Sequence, residues 1–190
     1  EGFYYKPRVD IDELKKYSDG IIALSACLAG DISQALMDRN YEKAKNIALQ
    51  YRDIFGEGNF YLEIQDHGLP EQKEVNAALV KLSKEINIPL VATNDIHYVN
   101  KEDSKIHDVL MCIQMGKTVN DPNRMRFGSD EFYLKSREEM EELFPYAPEA
   151  IDNTVKIAEM CNIEFDFNTI HLPKYDVPEG YTPDTYLREL

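Results

Sequence analysis

Cys27, the neighbours Asp66 and His67, and the pair Asp95 and His97 are the side chains whose types and spacing could do chemistry in this chain. Thiolate, imidazole and carboxylate together suit zinc or another transition ion, and carboxylate with imidazole and water also accepts manganese. In "LVATNDIHYVN", Leu90 to Asn100, Asp95 and His97 stand two apart at the end of an apolar run. In an extended segment residues two apart point to one side, so this pair presents a carboxylate and an imidazole together. Each group also has a plain structural reading. Asp95 suits an Asx turn, Cys27 in "SACLAG" suits a small buried thiol, and "QDHGLPEQ" suits a polar loop whose Gly68 and Pro70 lead into a helix. Asp95 and His97 are the stronger ligand candidates, with Cys27 beside them and Asp66 and His67 behind.

The elements that position these groups decide between the readings. "GIIALSA" (Gly20 to Ala26), "NFYLEI" (Asn59 to Ile64) and "IPLVAT" (Ile88 to Thr93) are short apolar runs bounded by Gly, Asn and Pro, and read as strands. Ala44, Ile47, Ala48, Tyr51 and Phe55 follow helical spacing, as do Val75, Ala78, Leu79, Leu82 and Ile86. Ile106, Val109, Leu110 and Ile113 mark a third helix after the third strand. This alternation predicts an α/β fold with parallel strands and right-handed crossovers. Ligands in such folds gather at the carboxyl ends of the strands. Cys27 follows the first strand, Asp66 and His67 the second, and Asp95 and His97 the third, so all are expected to face one cavity.

Beyond Gly116 a polar loop leads to a short strand at Phe132 to Leu134, and Ser136 with Glu139 forms a capping box. A helix from Pro148 to Cys161 is expected to bury Ile151, Val155 and Ala158. His107 reads as a boundary residue of its helix, His171 lies near the final linker, and Arg124 and Arg126 read as surface ion-pair partners.

Composition narrows the classes. The chain has 190 residues, 43% of them hydrophobic and 29% charged, enough for a full core. Its net charge of -14 is the wrong sign for a module that holds DNA by bulk phosphate neutralisation. Three scattered cysteines exclude a disulfide framework or a zinc knuckle and fit a reducing cytoplasm. No apolar run reaches the roughly 20 residues needed to span a bilayer, so no membrane partner is expected. The non-Met start and the helix opening at the end read as those of an excised piece.

"EGFYYKPRVD", "LSACLAGDI", "GNFYLEIQDHGLPEQ", "PLVATNDIHYVNKED", "HDVLMCIQMGKTVNDPNRMRF" and "EFYLKSREEMEELF" run through nearly the whole chain. Together they resemble the polymerase and histidinol phosphatase (PHP) region of bacterial DnaE-type DNA polymerase III alpha subunits. The resemblance implies part of a distorted (β/α)7 TIM-like PHP barrel with parallel strands, followed by helices and a linker. It places the C-terminal part of the PHP domain at 1–172, and the linker and start of the polymerase palm at 173–190. It further implies that Cys27, Asp95 and His97 belong to a larger ligand set for a divalent metal, zinc or manganese, with magnesium at a polymerase site outside this piece. The implied role is as part of a DNA-directed DNA polymerase that meets DNA and other replicase subunits such as a proofreading exonuclease. The PHP region itself is then either a 3'-5' exonuclease or a scaffold. A free-standing phosphoesterase uses the same ligand chemistry, and the isolated piece is expected to be inactive.

Overall fold

The computed structural model describes residues 3–170, 172 and 175–190. His171 and the expected boundary at Pro173 lie outside them. The chain divides into two compact units, Glu1–Met160 and Cys161–Leu190.

The first unit opens with a small antiparallel pair, β1 (Phe3–Tyr4) and β2 (Lys6–Pro7). Helix α1 (Ile11–Lys16) follows, its first turn held by Asp10, whose carboxylate accepts from the Glu13 amide at 2.9 Å. Strand β3 (Ala23–Leu24) is only two residues long. After α2 (Asp31–Met37) and α3 (Tyr41–Phe55) comes β4 (Phe60–Ile64), then α4 (Pro70–Ile86) and β5 (Leu90–Ala92). The three later strands form one parallel sheet in the order β3-β4-β5, with Ala23 opposite Phe60 and Leu62 opposite Leu90. The expected α/β architecture with parallel strands is therefore present in this unit.

Alternation along the sheet separates two faces. Phe60, Leu62, Ile64, Leu90 and Ala92 join one core with Ile32 and Ala35 of α2, Ala44 and Ala48 of α3, and Val75, Leu79, Leu82 and Ile86 of α4. Pro70 opens α4 and Asn87, left-handed at φ 53, closes it, so the chain turns back into β5 where Ile86 meets the core. Glu63, Gln65 and Thr93 alternate with these core residues. They bond one another, Gln65 Nε2 donating to Glu63 Oε1 and to Thr93 Oγ1 at 3.1 Å each. The sheet is thus apolar on one face and carries a polar cluster near the strand ends on the other.

A 3-10 turn (Lys101–Asp103) leads into α5 (Ser104–Met115). The helix forms where its periodicity predicts, but the stripe that marks it faces outward. Ile106, Val109, Leu110 and Ile113 are exposed, while Cys112 is buried. Tyr133 pairs with Tyr98 in an isolated parallel bridge, so the expected strand at Phe132 to Leu134 is reduced to a bridge. Ser136 and Glu139 form the capping box of α6 (Arg137–Leu143). Helix α7 (Pro148–Met160) buries Ala150, Ile151 and Asn153, but not Val155 or Ala158. It packs on β5, and at its far end Met160 meets Tyr61 of β4, the hydroxyl 4.0 Å from the sulfur.

The second unit contains α8 (Pro183–Glu189), capped by Thr182, whose hydroxyl accepts from the Thr185 amide at 3.2 Å. Tyr175 and Tyr181 pack on Tyr186 with ring centroids 6.5 and 5.4 Å apart.

Candidate metal centre

Asp95 and His97 lie in the loop leaving β5, with His97 Nε2 3.4 Å from Asp95 Oδ1 and both side chains about a third exposed. Two donors at about 2.0–2.1 Å from one tetrahedral ion stand about 3.4 Å apart, so this spacing fits a shared cation. The pair is not produced by extended backbone, as its spacing suggests. Asp95 is left-handed, with φ 42, and this turn brings its carboxylate back toward the imidazole. Aspartate tolerates that conformation better than most residues.

Three hydrogen bonds stitch the loop to the segment around Phe132. The His97 and Tyr98 amides both donate to the Phe132 carbonyl, at 2.9 and 3.3 Å, and the Leu134 amide donates to the Val99 carbonyl at 3.2 Å. The His97 ring is flanked by Phe127, Phe132 and His107 at centroid distances of 4.8, 5.4 and 5.6 Å. His107 is therefore a neighbour of the candidate site rather than a bystander on a helix boundary. It borders the apolar stripe of α5, so its spacing alone does not set it apart from an ordinary boundary residue.

His67 is fully buried, and both its ring nitrogens are engaged. Nε2 lies 2.8 Å from the Asn94 carbonyl oxygen, and Nδ1 lies 2.8 Å from Gln72 Nε2. A carbonyl only accepts and an amide nitrogen only donates, so the proton sits on Nε2. Burial lowers the pKa of this imidazole, keeping it neutral. The ring has no lone pair left for a metal in this arrangement, which corrects the expectation that His67 is a ligand. Asp66 instead closes an Asx turn, its Oδ1 accepting from the Gly68 amide at 2.8 Å.

Cys27 is half-buried in a separate cleft lined by Glu63, Gln65, Gln72 and Asn76. Because β3 ends at Leu24 and Ala26 is left-handed at φ 64, the chain curls tightly there. The Gly30 amide closes the curl by donating to the Cys27 carbonyl at 2.9 Å. A Cβ on Gly30 would collide with the Ser25 carbonyl, so only glycine permits this approach. Cys27 thus does not join Asp95 and His97. Among the described residues, no group of three or more His, Cys, Asp and Glu side chains is arranged to hold a metal ion. The expected single rim is replaced by an acid–imidazole pair in one place and a thiol in another.

The Cys27 cleft also holds Gln65 Oε1, a buried side-chain oxygen with no hydrogen-bond partner among the described residues. Glu63 and Thr93 were not singled out by the sequence, because inside apolar strands they read as ordinary alternation. Arg124, expected to form a surface ion pair, makes a part-buried bidentate pair with Asp108, the side chains 3% and 33% exposed.

Residues 1–67 match the family model for the PHP domain. The chain is 46% identical over 191 residues to the DNA polymerase III subunit alpha of Treponema pallidum, covering all of this chain and 16% of that relative. It is 47% identical over 192 residues to the Borreliella burgdorferi protein of the same name, covering 17% of it. Identity to the Thermus aquaticus protein of that name is 45% over 196 residues, or 16% of that relative. The chain therefore spans about a sixth of the length of these curated relatives. Asp95 and His97 lie beyond the PHP match but within the aligned region.

Proposed function

We propose that this chain, similar over its whole length to DNA polymerase III alpha subunits and matching the PHP domain at residues 1–67, forms part of a replicative DNA-directed DNA polymerase. In this reading Asp95 and His97 supply two ligands of a divalent cation, zinc or manganese, and the cation site hydrolyses a phosphodiester at a DNA 3' end. The observation that carries the reading is the 3.4 Å approach of His97 Nε2 to Asp95 Oδ1 at the carboxyl end of a parallel strand.

A cation held there supplies Lewis acidity and a hydroxide nucleophile near neutral pH. Asp95 brings a negative charge that offsets the ion's charge, and His97 brings a neutral nitrogen donor. Phe127 and Phe132 pack against His97 and keep water from that flank of the ring. The remaining ligands come from elsewhere in the parent protein, and Cys27 needs a rearrangement of its curl to join them. The compact unit ending at Met160 belongs to the PHP part, and the segment carrying α8 leads toward the polymerising part. DNA and other replicase subunits, a proofreading exonuclease among them, are the partners this reading assigns, with magnesium at the separate polymerising site. No helix among the described residues is long and apolar enough to cross a membrane.

The test is Asp95→Asn in the intact subunit, which keeps the size of the side chain and removes its charge. Bound metal and polymerase-independent 3'-5' nuclease activity are expected to fall at least tenfold while DNA synthesis persists. Unchanged metal and nuclease activity would overturn the reading.

The separation of Cys27 from Asp95 and His97 favours a second reading, in which the domain is a scaffold for a proofreading subunit and any metal only staples the fold. It predicts that chelation lowers the melting temperature of a protein that never degrades DNA.

A further inference from the structure

We propose that His67 is the positioning residue of the Asp95–His97 pair, acting on both flanks of the loop without touching the cation itself. The inference rests on the reading that this pair holds a divalent cation. The Asn94 carbonyl that receives the His67 Nε2 proton belongs to the peptide joining Asn94 to Asp95. Fixing that peptide plane fixes where the left-handed turn at Asp95 begins, and hence where its carboxylate points. On the other flank the His67 ring lies face to face with Phe132, centroids 4.0 Å apart and planes 11° from parallel. Phe132 in turn meets His97 edge-on and receives its amide proton at the backbone carbonyl. One imidazole therefore grips the residue before Asp95 through a hydrogen bond and the residue bonded to His97 through a stack.

The imidazole is itself held on every side. Gln72 Oε1 accepts from the His67 amide at 2.7 Å, while its Nε2 donates to the ring at 2.8 Å. The Ser129 hydroxyl donates to the His67 carbonyl at 2.6 Å. Because Gln72 sits in the first turn of α4, the orientation of the ring is tied to the helix that packs on β4. The hydrogen bond from Gln72 also fixes the tautomer that donates to Asn94.

Two substitutions separate the hydrogen bond from the packing. His67→Phe keeps a ring over Phe132 but loses both nitrogens. His67→Gln loses the ring but can place an N–H where Nε2 stands. Each is made in the intact subunit, and Co2+ is titrated while its ligand-field absorption is followed. The part of that signal lost in Asp95→Asn defines the site. His67→Gln is expected to bind within threefold of the unsubstituted protein, and His67→Phe at least tenfold more weakly, with melting temperatures of the two within a few degrees.

If His67→Phe binds Co2+ as well as the unsubstituted protein while Asp95→Asn loses it, the positioning role is wrong and the cation site stands. Equal weakening in His67→Phe and His67→Gln also overturns the role, because it assigns the effect to packing. If Asp95→Asn itself loses nothing, the underlying reading fails and the positioning role falls with it. Should His67→Phe not unfold cooperatively, Gln72→Met carries the test by removing the ring's Nδ1 partner. A loss of threefold or more is expected there, and no loss overturns the proposal.

Discussion

His67 links chemistry to stability at the scale of single residues. Its Nε2–H···O bond to Asn94 is of a kind worth about 0.5–1.5 kcal/mol net, and a left-handed residue such as Asp95 costs about 1–2 kcal/mol. The two are of similar size, so one buried hydrogen bond is enough to offset the turn that aims the carboxylate. Burial puts the folded pKa of this imidazole below its ordinary 6.5. Between the folded and unfolded values the unfolded chain binds more protons, so this contribution to stability is present above about pH 6.5 and is lost as the pH falls toward the folded pKa. Denaturant unfolding at pH 7.5 and 5.5 checks this: the unsubstituted protein is expected to lose more stability than His67→Phe over that interval. Asp95 and His97 were legible as a pair from their spacing alone, but the mechanism of their approach was not. The sequence suggested extended backbone, and the turn that replaces it depends on His67, 27 positions from Asn94, and on Gln72. Contacts of that kind leave no periodic trace, so His67 looked like one more ligand.

Helices and strands were the most readable part. The apolar runs gave β4 and β5, and helical spacing gave α3 and α4, because each element buries one side against a shared core. Which face of α5 is buried was not readable, since Ile106, Val109, Leu110 and Ile113 signal a helix wherever that side points. The extent of burial along α7 was missed for a similar reason. Its docking depends on Asn153, which is buried and donates from Nδ2 to the Leu90 carbonyl at 2.7 Å. That bond satisfies a backbone acceptor of β5 which would otherwise be buried unpaired. Asn153→Leu fills similar space without a donor and is expected to lower stability by about 1–3 kcal/mol. The midpoint of urea unfolding measures it, and a change under about 0.5 kcal/mol would show that the bond does not hold the helix to the strand.

For the whole molecule, the outward stripe on α5 matters most. Ile106, Val109, Leu110 and Ile113 are each at least 45% exposed, side by side at helical spacing. An apolar face of this kind favours association. The 190-residue chain is expected to self-associate at tens of micromolar in light scattering, and Leu110→Glu is expected to return it toward monomer without lowering its melting temperature by more than a few degrees. The α/β class and the similarity to DNA polymerase III alpha subunits were legible because they are spread over nearly every segment. The ligand set was not, because Cys27 shares a sequence pattern with Asp95 and His97 but not a place in this unit. Whether the acid and the imidazole share an ion decides the chemistry of this loop. Anomalous diffraction from crystals of the intact subunit soaked in Zn2+ or Mn2+ tests this most directly. A peak about 2.0–2.2 Å from both Asp95 and His97 is the predicted result, and ordered side chains with no peak between them would contradict it.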